Sequence, residues 1–85
     1  LIMETIYVLI EAESGNKLEE IVEKIQKIQN VREVHAVTGP FDIIVKIESQ
    51  QIMDALQTVL YQLRKIKGVK STETLVCIKM EKPSR

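Results

Sequence analysis

"VHAVTGPFDIIVKIE", residues 34–48, joins two apolar, β-branched runs through Thr38-Gly39-Pro40-Phe41-Asp42. Runs rich in Val and Ile read as strands, and a Gly-Pro pair between them reads as a turn. A plain hairpin needs only a tight turn. This one adds a hydroxyl, two backbone N–H groups on either side of a proline, an aromatic ring and a carboxylate. The second strand is expected over Val31 to about Thr38. The third is expected over Phe41–Glu48, with Phe41, Ile43, Val45 and Ile47 on one face.

Working outward, "IMETIYVLIEA" (2–12) reads as a first strand. Ile6, Val8, Ile10 and Ala12 share one face, and Tyr7 and Leu9 share the other. "SGNK" is a turn, and Asn16 with Glu19 has the spacing of a partial capping box. A helix to about Gln29 then carries Leu18, Ile21, Val22, Ile25 and Ile28 on one face. Glu20 and Lys24, and Glu23 and Lys27, stand four apart on its solvated face. Asn30 ends this helix in the left-handed conformation. After the third strand, Ser49 is the expected N-cap of a second helix. Its stripe is Ile52, Met53, Leu56, Val59, Leu60, Leu63 and Ile66, and Gly68 ends it. Val69–Met80 completes the set as a fourth strand, and "EKPSR" (81–85) reads as a polar, frayed tail.

The order is β-α-β-β-α-β. An internal echo supports it: "KIQNV" (27–31) enters the second strand and "KIKGV" (65–69) enters the fourth. Two βαβ halves make the ferredoxin-like α+β plan, a four-stranded antiparallel sheet with both helices on one face. The first and third strands are central, and the second and fourth are edges. The other sheet face is left bare. Periodicity leaves open whether Ile6 and Val8 or Tyr7 and Leu9 point to the helices, but either set leaves an apolar face that invites a second copy through a twofold axis.

The totals fit one small domain. With 85 residues, 45% hydrophobic and only 4% aromatic, the core is aliphatic. A chain of this length buries only ~60–65% of the surface it exposes unfolded. The 12 cations and 12 anions cancel, which argues against a nucleic-acid binder. The densest basic cluster, Arg64, Lys65, Lys67 and Lys70, reads first as cations gathered at a helix C-terminus and second as a weak nucleic-acid patch. A single cysteine, Cys77, excludes an internal disulfide and fits a reducing cytoplasm. It reads as a small buried hydrophobe. No apolar run approaches the ~18 residues of a membrane span, so no membrane partner is expected.

Catalytic chemistry has no visible basis. The one histidine, His35, reads as a strand residue because no triad-like partner accompanies it. No metal-ligand, Walker A or dinucleotide motif is present, and neither a cofactor nor a metal is expected. The turn at 38–42 reads by itself as a hairpin with a solvated, Asx-type Asp42. Thr72 and Thr74, two apart in "GVKSTETLV", share one strand face. They read as β-favouring residues or as hydroxyls for a small polar ligand. A zwitterionic amino acid suits the combined set. Its ammonium needs a carboxylate such as Asp42, and its carboxylate needs donors such as the Gly39 or Phe41 N–H or a threonine.

Order and spacing together resemble the effector-binding domain of the Lrp/AsnC transcription regulators, the RAM domain (regulation of amino-acid metabolism). The likeness runs from "IYVLIEA" to "STETLVCIKM". Val31, Val37, Thr38, Gly39, Phe41 and Asp42 match the family's Val-x-x-x-x-x-Val-Thr/Ser-Gly-x-Tyr/Phe-Asp pattern, and Gly68, Val69 and Thr74 match its Gly-Val-x-x-x-x-Thr pattern. The resemblance implies homodimers by sheet-to-sheet packing, higher rings such as octamers, and an amino-acid effector near the turn where dimers meet. The implied ligand-binding residues are Gly39, Phe41 and Asp42, then Thr38, Thr72 and Thr74. Regulators of this family place a helix-turn-helix domain before the effector domain. Only two or three residues precede the first strand here, so the expectation is a stand-alone module or a fragment that does not bind DNA alone. It would act on transcription through a full-length Lrp/AsnC-type regulator. The competing class is a ferredoxin-like dimer serving as an assembly module or small enzyme.

Overall fold

The structure, a computed structural model, describes residues 2–80. Its elements are β1 (Glu4–Ala12), α1 (Leu18–Gln26), β2 (Val31–Ala36), β3 (Ile43–Ser49), α2 (Ile52–Tyr61), a 3₁₀ turn (Leu63–Lys65) and β4 (Val69–Val76). All strand pairs are antiparallel, in the order β2-β3-β1-β4. The two central strands and two edges are those expected from the β-α-β-β-α-β plan.

The register settles which face meets the helices. Ile6 pairs with Ile47, Val8 with Val45 and Ile10 with Ile43, and all six are 0% exposed. Ile21 and Ile25 of α1 and Ala55 and Val59 of α2 close over them, with Leu63. Tyr7, Leu9 and Ile44 therefore point to the open side, half-buried without any covering element. On β2, Glu33 and His35 pair with Lys46 and Ile44, which places them on the open side too.

Several expected boundaries shorten, for local reasons. α1 ends at Gln26 because Lys27 and Ile28 donate their N–H groups three residues back, to Lys24 and Ile25, and the chain turns. Asn30 then takes the left-handed conformation at φ 76°. The capping box does not form: Lys17 is the N-cap without a side-chain bond, and Asn16 Nδ2 donates to the Glu13 carbonyl at 3.5 Å. Neither charge pair expected on α1 closes as an ion pair. Ser49 belongs to β3, and its hydroxyl donates to the Gln51 carbonyl; Gln51 is the N-cap of α2.

The second helical stripe is narrower than its periodicity promised. Ala55, Val59 and Leu63 are buried, whereas Met53 is 59% and Leu60 47% exposed. α2 also stops at Tyr61, and the 3₁₀ turn keeps Leu63 in the core. Gly68, at φ 100°, then reverses the chain into β4 with no room for a Cβ, which would stand 2.8 Å from Ile21 Cδ1. β2 stops at Ala36, and β3 begins at Ile43 rather than Phe41. β4 stops at Val76, which pairs with Ile6, and among the described residues a single backbone bond follows, Cys77 N–H to the Thr5 carbonyl at 3.0 Å. The expected polar tail, 81–85, lies outside the described residues.

Candidate functional site

The turn at 37–42 is pinned at both ends. Val37 N–H donates to the Asp42 carbonyl and Asp42 N–H to the Ile10 carbonyl, each at 2.9 Å. The Ala12 N–H, on the same β3-facing edge of β1 as the Ile10 carbonyl, donates to Asp42 Oδ2 at 2.8 Å. The carboxylate expected as a solvated or ligand-facing group is thus also a structural tie between β1 and the β2–β3 turn. Its second oxygen, Oδ1, has no partner among the described residues. Gly39, at φ 117°, holds a conformation that side chains rarely adopt. The Gly39 and Phe41 N–H groups carry no hydrogen bond among the described residues. Thr38, Gly39 and Pro40 are exposed; Phe41 and Asp42 are half-buried.

Thr72 and Thr74 lie elsewhere. Thr72 pairs with buried Ile10 and Thr74 with buried Val8, so both face the helix side at the β4 edge. The Asp42 tie is on the β3 side of β1, two strand spacings or about 10 Å from β4. The structure therefore gathers Thr38, Gly39, Phe41 and Asp42 in one turn and Thr72 and Thr74 in one cleft, with β1 between them.

That cleft is lined by Leu56, Val59, Leu60, Arg64, Thr72 and Thr74 and encloses about 350 Å³. Arg64 also lines the adjoining hollow with Val69, Lys70, Ser71 and Thr72. Read in the sequence first as one of the cations ending a helix, Arg64 is placed here by its neighbour. Leu63 is fully buried in the 3₁₀ turn, so the next side chain falls outside the core beside β4. A further groove, between α1 and the β2 edge, is lined by Leu18, Val22 and Ala36 with Glu19, Glu23 and Gln26. The 38–42 turn lines none of these concavities.

On the open face, Glu33 accepts from His35 Nε2 at 3.1 Å and lies 3.6 Å from Lys46 Nζ. The His35 hydrogen bond, and then the Lys46 charge, hold the Glu33 carboxyl below its ordinary value. His35 thus has an exposed acidic neighbour and no third member of a catalytic set. Among the described residues no cluster of three His, Cys, Asp or Glu side chains has metal-binding geometry. No helix there is long and apolar enough to cross a membrane.

Known proteins share this arrangement. A Thermus thermophilus protein of known crystal structure superposes with a TM-score of 0.83 at 29% identity, over 94% of this chain and 99% of that one. An uncharacterized HTH-type transcriptional regulator of Pyrococcus furiosus is 40% identical over 74 residues, 85% of this chain; the chain spans about half (49%) of that relative's length. A homocitrate synthase of Sulfolobus acidocaldarius is 32% identical over 70 residues, 82% of this chain but only 15% of the enzyme. The family model for the Lrp/AsnC ligand-binding domain matches residues 5–85. With the β-α-β-β-α-β sheet and the Val37-Thr38-Gly39-x-Phe41-Asp42 turn in place, that match shows that the chain belongs to the Lrp/AsnC ligand-binding domain family.

Proposed function

We propose that this domain senses an amino acid at the Thr38–Asp42 turn and assembles through the open face of its sheet, acting on transcription with a DNA-binding relative in the cytoplasm. The carrying observation is the state of Asp42. One oxygen is held by the Ala12 N–H, which orients the carboxylate, and among the described residues the other has no partner and the Gly39 and Phe41 N–H groups of the same turn are unbonded. An oriented carboxylate and two unbonded donors in one turn match the chemistry of the two charged ends of an α-amino acid. In a single chain the turn is exposed and unwalled, so a second copy supplies the missing cover. Thr72 and Thr74, separated from their own chain's turn by β1, serve as that cover or as contacts to the effector's side chain.

The open face supports assembly. Tyr7, Leu9, Ile44 and Leu75 form an apolar patch on it, with Lys46 beside Tyr7 on the central strand β3 and Glu33, His35, Glu48 and Glu73 on the same face. An apolar middle within a polar rim is the anatomy of a protein interface. The likeness to regulators and to a small part of a biosynthetic enzyme fits a sensing unit used in more than one setting, and no chemistry for catalysis stands in the described residues.

Calorimetric titration with each of the twenty amino acids tests the reading. Saturable heat is expected for one or a few. Asp42→Asn is the informative variant, because the amide oxygen still accepts the Ala12 N–H while the charge is gone. Heat that survives Asp42→Asn unchanged removes the turn from the site. Heat from none of the twenty removes the amino-acid reading.

A further inference from the structure

The open face of the sheet holds the one histidine of the chain among more acids than bases. Strand alternation sets Glu11 of β1, Glu33 of β2, Glu48 of β3 and Glu73 of β4 on that face. Three cations meet them. Lys46 Nζ lies 3.6 Å from Glu33, Arg32 Nε 3.5 Å from Glu48, and Lys70 Nζ 3.6 Å from Glu11. Glu73, which pairs with Leu9 in the ladder, has no ion-pair partner among the described residues. Asp42, just before β3, adds a further negative charge, and Tyr7, opposite Lys46, is the phenol of the face. With His35 neutral the face is therefore net negative. A proton on His35 offsets part of that charge.

We propose that His35 is a proton switch on assembly: proton uptake by its imidazole strengthens the association of two copies through their open faces. The inference rests on the assembly reading above and adds its regulation. Sheets packed face to face stand ~10 Å apart, about one Debye length at ~0.1 M salt, so two opposed faces of like charge repel across the gap. A proton on each copy weakens that repulsion. The surroundings of His35 suit it to hold the proton there. Its Nε2 lies 3.1 Å from Glu33 Oε1, an acceptor for the imidazolium. Its strand is an edge of the sheet and its side chain is 61% exposed, so the imidazolium stands at the rim, near water, and not under the apolar patch. Lys46 and Arg32 oppose a third positive charge on this side of the face, but each is committed to a carboxylate. Histidine is the side chain whose ordinary titration falls between about pH 5 and 8, and the chain has one, so a response in that window is traceable by one substitution.

Sedimentation equilibrium of the full chain at low salt, from about pH 8 to about pH 6, tests this across the histidine range. The dissociation constant of the parent assembly is expected to fall roughly tenfold over that range, since each proton taken up on association changes it by at most about tenfold per pH unit. His35→Gln keeps a side-chain donor for Glu33 but does not titrate, and it holds the parent's high-pH value throughout. His35→Lys carries a fixed charge and holds a tighter value throughout. His35 is exposed, so both variants fold. Salt at about 0.5 M flattens the parent's profile, because the switch acts through charge. Assembly whose strength is independent of pH, assembly that loosens as the pH falls, or a pH response that persists in His35→Gln each overturns the switch and leaves the assembly reading standing. Monomers at every pH and concentration overturn both.

Discussion

On the helix side of the sheet, Ile6, Val8, Ile10, Ile43, Val45 and Ile47 are each 0% exposed; on the open side Tyr7, Leu9 and Ile44 are half-buried and Leu75 is 47% exposed. Both sets are apolar, and both alternate along the same strands. They differ in what interrupts them. The helix side of β3 reads Ile43, Val45, Ile47 without a charge, while its open side reads Ile44, Lys46, Glu48. A face sealed by its own chain excludes charges, because burying an unpaired one is costly. A face to be sealed by another molecule keeps charges at its rim, where they remain solvated before association. The comparison separates the face this chain seals with its own helices from the face its described elements leave uncovered.

The largest expected effect breaks the comparison on the sealed side. Ile47→Ala opens a cavity under the helices and costs ~2–5 kcal/mol. Because the loss is internal, the denaturation midpoint shift is the same at every protein concentration. Leu9→Ala removes a similar side chain from the open face. Under the assembly proposed above, its loss is expected to be smaller at high dilution and to grow with concentration, since the parent would gain stability by assembling and the variant would not. Equal, concentration-independent losses for the two would show that the open face is not an interface.

Gly68→Ala sharpens the comparison at the hinge between sides. Residue 68 must hold φ 100°, and a Cβ would meet Ile21 Cδ1 at 2.8 Å and Asn16 Cβ at 3.2 Å. The backbone strain alone is ~1–3 kcal/mol, and Ile21, itself a core residue, must move. Chemical denaturation of Gly68→Ala is expected to show a loss in that range with an unchanged m-value.

These positions also show what was legible in the sequence. Strand order, both helices and the left-handed Asn30 and Gly68 followed from periodicity and turn chemistry, because each is a local preference that the tertiary packing agrees with. The assignment of faces did not follow from β1, where both sets are apolar. It was present in β3, whose Lys46 and Glu48 mark the open side. Boundaries were missed where regular pairing stops before propensity changes: β4 stops at Val76, opposite Ile6, although β1 runs on to Glu4 and the apolar pattern of the fourth run continues. The caps failed because Asn16 and Ser49 found nearer carbonyls to bond than helix N–H groups. In the candidate site, the turn was legible from its Gly-x-Phe-Asp spacing. The tie from Asp42 to Ala12 was not, since it joins residues 30 apart in sequence and depends on how β3 pairs with β1. Arg64 was hidden for a similar reason: only the break from α2 into the 3₁₀ turn takes it off the helix surface and sets it beside Thr72.

The smallest expected effect belongs to the rim of the open face. Glu33 is held below its ordinary value of 4.5, first by the His35 hydrogen bond and then by Lys46. A carboxyl with a lowered folded-state pKa favours folding when ionised. Its contribution is therefore complete above pH 4.5 and is lost as the pH falls below that value through the lowered one. Because Glu33 is solvent-exposed and screened by salt, the effect shows more clearly in its own titration than in global stability. Carbon-detected NMR of the Glu33 carboxyl should give a midpoint below 4.5. His35→Ala should return it toward 4.5 by more than Lys46→Met does, following the order of the two causes. The sealed side has no titratable group to contribute in this range, since its buried residues are aliphatic apart from Ser49 and Thr58. A midpoint at or above 4.5 in the parent would mean that the Glu33 contacts to His35 and Lys46 do not persist in solution, and the rim would then be a set of independent solvated charges rather than a paired one.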